Sequence, residues 1–138
     1  MNNQQFTEKS RQALQYAQQL TGEYHNQEVS QEHLAYALLA DAQGLIPQLL
    51  TKMGKAPQEI ASRLQTMIAR MPKVMGSGRE MDKIYINADV EKALLAAQER
   101  AQQMKDEYLS VEHLFLGLID KPSRSMAELW KGYAISEK

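Results

Sequence analysis

The feature that most constrains this chain is that it says one thing twice. Ser30-Gln31-Glu32-His33-Leu34 returns 80 residues later as Ser110-Val111-Glu112-His113-Leu114. The echo runs both ways from there: Ala13, Leu14, Ala17 and Gln18 fall on Ala93, Leu94, Ala97 and Gln98, and Leu38 falls on Leu118. Between Phe6–Leu39 and Ile86–Ile119, 9 of 34 positions are identical, too many at one fixed spacing for accident. A duplication of this period must be read before anything else, because it sets the architecture. A unit of about 50 residues cannot easily bury its own apolar stripes, so the two units are expected to share one core. Stacking about a pseudo-two-fold axis, with residues 7–71 laid over 87–131, is the simplest way to do so.

Each unit reads as helices. Thr7 stands where an N-cap hydroxyl accepts from a free backbone N–H. Ser10, Ala13, Leu14, Ala17, Leu20 and Tyr24 then recur at steps of three and four, which places them on one face. Asn26–Val29 is a short polar connector. Ser30 caps a second helix with Leu34, Ala35, Leu38 and Leu39 inward and Glu32 in its first turn, at the positive end of the dipole. Gly44 precedes a third helix over Leu45–Met53, which Gly54 closes in a position suited to positive φ. Pro57 opens a fourth, striped by Ile60, Leu64, Met67, Ile68 and Met71.

Pro72 ends the first unit (residues 6–71), and 72–85, with Gly76-Ser77-Gly78 among charges, reads as the linker. Ile84-Tyr85-Ile86 is strand-like but short, and is expected to be an extended lead-in without a strand partner. The second unit (86–138) repeats the plan: Asn87 caps, Val90, Ala93, Leu94, Ala97, Ala101 and Met104 face inward, Ser110 caps again, and Met126–Lys131 supplies the third helix. Glu137 and Lys138 fall where Pro57 and Gln58 begin the fourth helix of the first unit, so the last helix of the second repeat is expected to be truncated, the chain being a cut from something longer. The expected fold is all-α: two tandem four-helix-type repeats packed as one pseudo-two-fold bundle, a single domain over 1–138.

Composition excludes several chemistries. With a net charge of −1 and 24% charged residues there is no global pull toward nucleic acid or a membrane surface. No cysteine is present, so disulfides and thiolate metal sites are out. The polar start lacks a signal-peptide core and the longest apolar run, Leu34–Ala40, is far too short to cross a bilayer, which makes a cytoplasmic protein the expectation. His33 and His113 have no second ligand at i+3 or i+4, so no metal site is expected. Gly76-Ser77-Gly78-Arg79 has no strand before it and no Lys-Ser/Thr after it, and fails as a phosphate loop. No nucleophile stands beside a base, and no catalytic residue is expected. The doubled Ser-x-Glu-His-Leu reads as a helix start: cap, acid on the dipole, and a histidine donating to a nearby carbonyl. The same residues also offer a polar rim at two related surface points. Leu95 and Phe115 stand where the first unit has Gln15 and Ala35, so apolar bulk has entered the second unit alone, either as extra core or as an exposed groove.

The doubled pattern Phe6-Thr7-Glu8-Lys9 … Ala13-Leu14 … Ser30-x-Glu32-His33-Leu34, with Pro72-Lys73-Val74-x-Gly76-Ser77-Gly78 between the units, resembles the Clp amino-terminal repeat domain. The linker, Lys83-Ile84-Tyr85-Ile86 and Asp106-Glu107-Tyr108-Leu109-Ser110 resemble the ClpB disaggregase type more than the protease-partner ClpC type. The resemblance implies a domain that precedes two ATPase modules and helps engage unfolded or aggregated polypeptide. ATP is then expected only for the missing modules, hexamers only through those modules, and no cofactor in this chain, itself a monomer. It further implies substrate-engaging polar positions at Thr7, Asp106 and Glu112. The acids that hold phosphoarginine in ClpC-type relatives match Glu32 and Glu112, which makes adaptor or phosphoarginine docking the alternative. The connectors His25-Asn26-Gln27-Glu28 and Lys105-Asp106-Glu107-Tyr108 lack the Gly-His-Asn pattern of that type, and Glu28 and Glu107 would repel a phosphate.

Overall fold

A computed structural model describes residues 5–74 and 85–136. Gly76-Ser77-Gly78, Ile84 and the Glu137-Lys138 end, on which parts of the linker and truncation expectations fall, lie outside the described residues. Seven helices carry the fold among those described: α1 (Glu8–Glu23), α2 (Gln31–Leu39), α3 (Leu45–Lys52), α4 (Pro57–Ala69), α5 (Ala88–Gln103), α6 (Val111–Asp120) and α7 (Arg124–Gly132). They are joined by four two-residue strands: β1 (Gln5–Phe6), β2 (Glu28–Val29), β3 (Tyr85–Ile86) and β4 (Tyr108–Leu109). The fold is all-α, and the caps stand where local chemistry puts them. Thr7 accepts from the N–H of Ser10 and Asn87 from that of Val90, the latter at 2.8 Å. Gly54 takes φ +80°, and its counterpart Ala134 takes φ +56° with a Cβ attached. Two boundaries differ from the expected ones. Met53 is the C-cap of α3 rather than its last turn, and α7 starts at Arg124 because Ser123 supplies a cap.

The strands correct one expectation. Tyr85–Ile86 is not a lone lead-in: it pairs in parallel with Glu28–Val29, while Gln5–Phe6 pairs with Tyr108–Leu109. The strand ahead of each repeat's first helix therefore joins the strand ahead of the other repeat's second helix. The flanking bonds repeat at the same offset: Thr7 N–H to Leu109 O and Asn87 N–H to Val29 O, both 3.0 Å. This reciprocal exchange is what a pseudo-two-fold axis requires. Such short pairings are invisible to periodicity, because a two-residue strand has no alternation to read.

One core joins the repeats. Leu34, Leu50, Ile60, Leu64, Leu109, Leu114, Leu118 and Met126 are almost wholly buried, and Leu14 and Leu94 are half-buried against them. Met104, expected inward, is 48% exposed beyond the last turn of α5. The tightest crossing is α5 on α6. A Cβ built on Gly117 would lie 2.2 Å from the Ala93 carbonyl oxygen and 3.1 Å from the Ala97 Cβ, so only glycine permits this approach. The corresponding residue of α2 is Ala37. Gln31 bridges the repeats with three bonds: its Nε2 donates to Asp89 O at 2.8 Å and Lys121 O at 2.9 Å, and Oε1 accepts from Ser123 N–H at 2.9 Å.

Candidate functional site

The repeated histidines are structural, and their bonds say why. The Ser30 N–H donates to His33 Nδ1 at 3.0 Å, and His33 Nε2 donates to Asn26 Oδ1 at 2.8 Å. In the second repeat the Ser110 N–H reaches His113 Nδ1 at 2.9 Å, and His113 Nε2 reaches the Asp106 carboxylate at 2.9 Å. Histidine thus plays the reciprocal part usually taken by Glu or Gln in a capping box. Burial holds the His33 imidazole down at about pKa 4, well below the ordinary 6.5, so the ring is neutral near pH 7. The expected donation to a carbonyl is met by a side-chain acceptor seven residues upstream, reached around the turn at His25 and Lys105, both with positive φ.

The predicted site residues do not gather in one place. Thr7 sits at the seam of β1 and β4, where Ser10 Oγ also donates to Leu109 O at 2.8 Å. Glu112 is half-buried in the first turn of α6, on the same seam, because the strand pair brings the starts of α1 and α6 together. Asp106 lies upstream of that seam with its carboxylate on His113. Glu32 is only 6% exposed, and its carboxylate accepts from Ser125 Oγ, on α7. Leu95 is 57% exposed on α5. Phe115 is buried, its ring edge-on to Trp130 with centroids 5.6 Å apart, while the Trp130 indole donates to Leu118 O. The added bulk thus divides: Phe115 is extra core, and Leu95 is surface. Phe115 therefore presents no face to a ligand.

An open groove of about 500 Å³ lies beside Val111, the residue before Glu112, and the residues that build it escaped sequence reasoning. Ala13 and Tyr16 of α1 form one wall, Leu38 and Ile46 the other, and Lys9 and Asp41 stand at its polar margin. Burial, then the nearby Tyr36 and Glu23, push the Tyr16 phenol above its usual pKa, so it remains a hydrogen-bond donor throughout the neutral range. Among the described residues, no group of three or more histidine, cysteine or acidic side chains is placed to hold a metal ion, and no helix is long and apolar enough to cross a membrane.

Fold and site together define a two-repeat helical bundle with strand-exchanged seams and one mostly apolar groove. Residues 5–133 match the family described as the Clp repeat (R) N-terminal domain, and the chain belongs to it. It is 40% identical over 134 residues to the chaperone protein ClpB of Nitratidesulfovibrio vulgaris, covering 96% of this chain and 16% of that one. It is 33% identical over 121 residues to ClpB of Bacillus cereus, covering 88% and 14%. The chain therefore spans about a sixth or less of the length of these relatives. The fold is shared with the Hsp104 N-terminal domain from Candida albicans (TM-score 0.82, 18% identity, 97% of this chain and 85% of that one). It is shared also with a ClpV N-domain solved with a VipB peptide (TM-score 0.71, 18% identity, 94% and 79%). The chain is thus a Clp-type N-domain.

Proposed function

We propose that this domain recognises substrate for a ClpB-type, ATP-dependent disaggregase of the cytoplasm, binding unfolded or aggregated polypeptide weakly at the groove beside Val111. The observation that carries this reading is the groove itself: an open, mostly apolar recess with the Lys9 and Asp41 side chains at its margin. Such a surface accepts many apolar segments and holds none for long. That the related ClpV domain was solved with a peptide supports a polypeptide as the class of ligand. Thr7 and Glu112, on the adjoining seam, would form part of the polar rim. ATP would be bound and hydrolysed by the remainder of the full-length protein, which would also form the hexamer, and this domain would act as a monomer without cofactor.

The alternative, docking of an adaptor or of phosphoarginine to a ClpC-type ATPase, would use Glu32, whose carboxylate is buried and already engaged by Ser125. A chemical-shift titration with unfolded casein tests the choice. The expected dissociation constant is roughly 10 μM to 1 mM, the range small mobile interfaces allow. Shifts should centre on Ala13, Tyr16 and Val111 and weaken in Glu112→Ala. Shifts confined to the far face would defeat the groove assignment. Saturable binding of phosphoarginine abolished by Glu32→Ala would establish the alternative.

A further inference from the structure

The groove residues have counterparts in the second repeat, and there a side chain from the other repeat occupies their backbone groups. Moved by 80 residues, the groove residues Lys9, Asp41, Gln43 and Val111 become Asp89, Lys121, Ser123 and Gln31. There the Gln31 carboxamide, from the other repeat, bonds to the carbonyls of Asp89 and Lys121 and to the N–H of Ser123, and Gln31 is 1% exposed. In the first repeat the same place is faced by Val111, which has no polar atoms beyond its backbone, and the space stays open. Gly117 contributes to the difference: it lets α6 close onto α5, whereas Ala37 lines the open groove.

The open site has counterpart residues in its lining. Lys9 and Asp41, the counterparts of the two residues whose carbonyls accept from Gln31, both line it. The Gln43 N–H is taken by Asp41 Oδ1 at 3.0 Å, and the Gly44 N–H by Asp41 O at 2.8 Å. A carbonyl oxygen accepts two bonds, so the Asp41 carbonyl retains one lone pair, and the helical carbonyl of Lys9 likewise. The site therefore offers backbone acceptors beside two side-chain donors, the Lys9 ammonium and the Tyr16 hydroxyl. A cation would have to leave water for an apolar wall beside Lys9, and a carboxylate would face carbonyl oxygens as well as Lys9; a neutral carboxamide, donor and acceptor at once, matches both sets of groups. Building on the reading of the groove as a polypeptide site, we propose that it takes the side-chain carboxamide of a glutamine or asparagine in an unfolded segment. The NH₂ donates to the carbonyls of Lys9 and Asp41 as Gln31 does to theirs, and flanking apolar side chains lie on Leu38, Ile46 and Val111. Val111 is the residue that keeps the site vacant for such a ligand.

The test compares three unstructured apolar peptides, one with a single central glutamine and two with that glutamine replaced by leucine or glutamate, titrated into this chain while the amide resonances of Lys9, Asp41, Gly44 and Val111 are followed. The glutamine peptide is expected to bind about 5- to 30-fold more tightly than either variant, the worth of two modest hydrogen bonds. Val111→Gln is expected to plug the groove from within and lower its affinity for the glutamine peptide at least tenfold without lowering its own melting temperature. Equal affinity for the glutamine and leucine peptides would overturn the carboxamide proposal and leave the groove as an apolar polypeptide site. No shift with any peptide would overturn both. Should Val111→Gln melt early, the peptide comparison on the parent chain decides alone.

Discussion

Gly117→Ala puts the closest helix contact of the fold to the test. The new Cβ would stand 2.2 Å from Ala93 O, an atom of helix backbone that has no rotamer to turn away. Carbon–oxygen contacts below about 3 Å are essentially never tolerated, so α5 and α6 must part by about 1 Å along that line. A gap of that size removes a quarter to a half of the dispersion attraction between the facing atoms. Overpacking of a filled core costs about 1–3 kcal/mol, against which alanine recovers up to about 1 kcal/mol through its better helix propensity. With backbone as the obstructing atom the upper part of the range applies, and the net expectation is a loss of about 2 kcal/mol. Urea unfolding followed by far-ultraviolet circular dichroism reads this directly: the midpoint should fall at unchanged m-value. Gly132→Ala is the control, since nothing lies within 4 Å of its added Cβ. It should leave the midpoint level or raise it. Should Gly117→Ala match Gly132→Ala within 0.5 kcal/mol, a margin small against about 2, the α5–α6 approach is looser than described. The part assigned to Gly117 in keeping the two repeats unlike would then fall away.

Gln31→Ala should cost about 2–4 kcal/mol in the same assay, because it strands the Ser123 N–H and two carbonyls at the repeat junction; a change under 0.5 kcal/mol would mean water replaces the amide freely. Leu34→Ala and Leu114→Ala, at 0% and 1% exposure, should each cost about 2–5 kcal/mol, and unmoved midpoints would contradict their burial. Acid should weaken the fold through His33. Its folded ring resists protonation down to about pH 4 while the unfolded ring takes a proton near 6.5, so the unfolded state binds more protons between those values. This contribution is whole above about pH 6.5 and shrinks as pH falls toward 4, by about 3 kcal/mol in all. His33→Gln should flatten that part of the stability profile, and an unaltered slope would assign the acid sensitivity elsewhere.

What the sequence disclosed follows from how local each cause is. Thr7, Ser30, Asn87 and Ser110 were legible as caps because a cap is settled within four residues. The buried stripes of α2 and α4 were legible through their period. The strand pairings were not, since Gln5 finds Tyr108 only after the bundle has formed. Phe115 could not be told from a surface residue until Trp130 was seen to cover it, and Leu95, changed in the same direction, went outward. The groove left a trace that was readable in principle: at Gln31/Val111 and Ala37/Gly117 the echo breaks at its most faithful stretch. A broken echo marks where two copies have taken different roles, but it does not say which copy is filled.

The crossed strands also set a timetable for making the protein. Phe6 leaves the ribosome early, yet its partner Leu109 is about a hundred residues behind, a delay of roughly 5–20 s at ordinary elongation rates. Val29 waits likewise for Ile86, though for a shorter time. In that interval α1 and α2 exist without the seams that bind them to the second repeat, with Leu34 and Leu38 lacking part of their cover. A nascent chain in that condition is itself an unfolded polypeptide with apolar surface on view, so a domain read here as a receptor for such chains passes through being one of them.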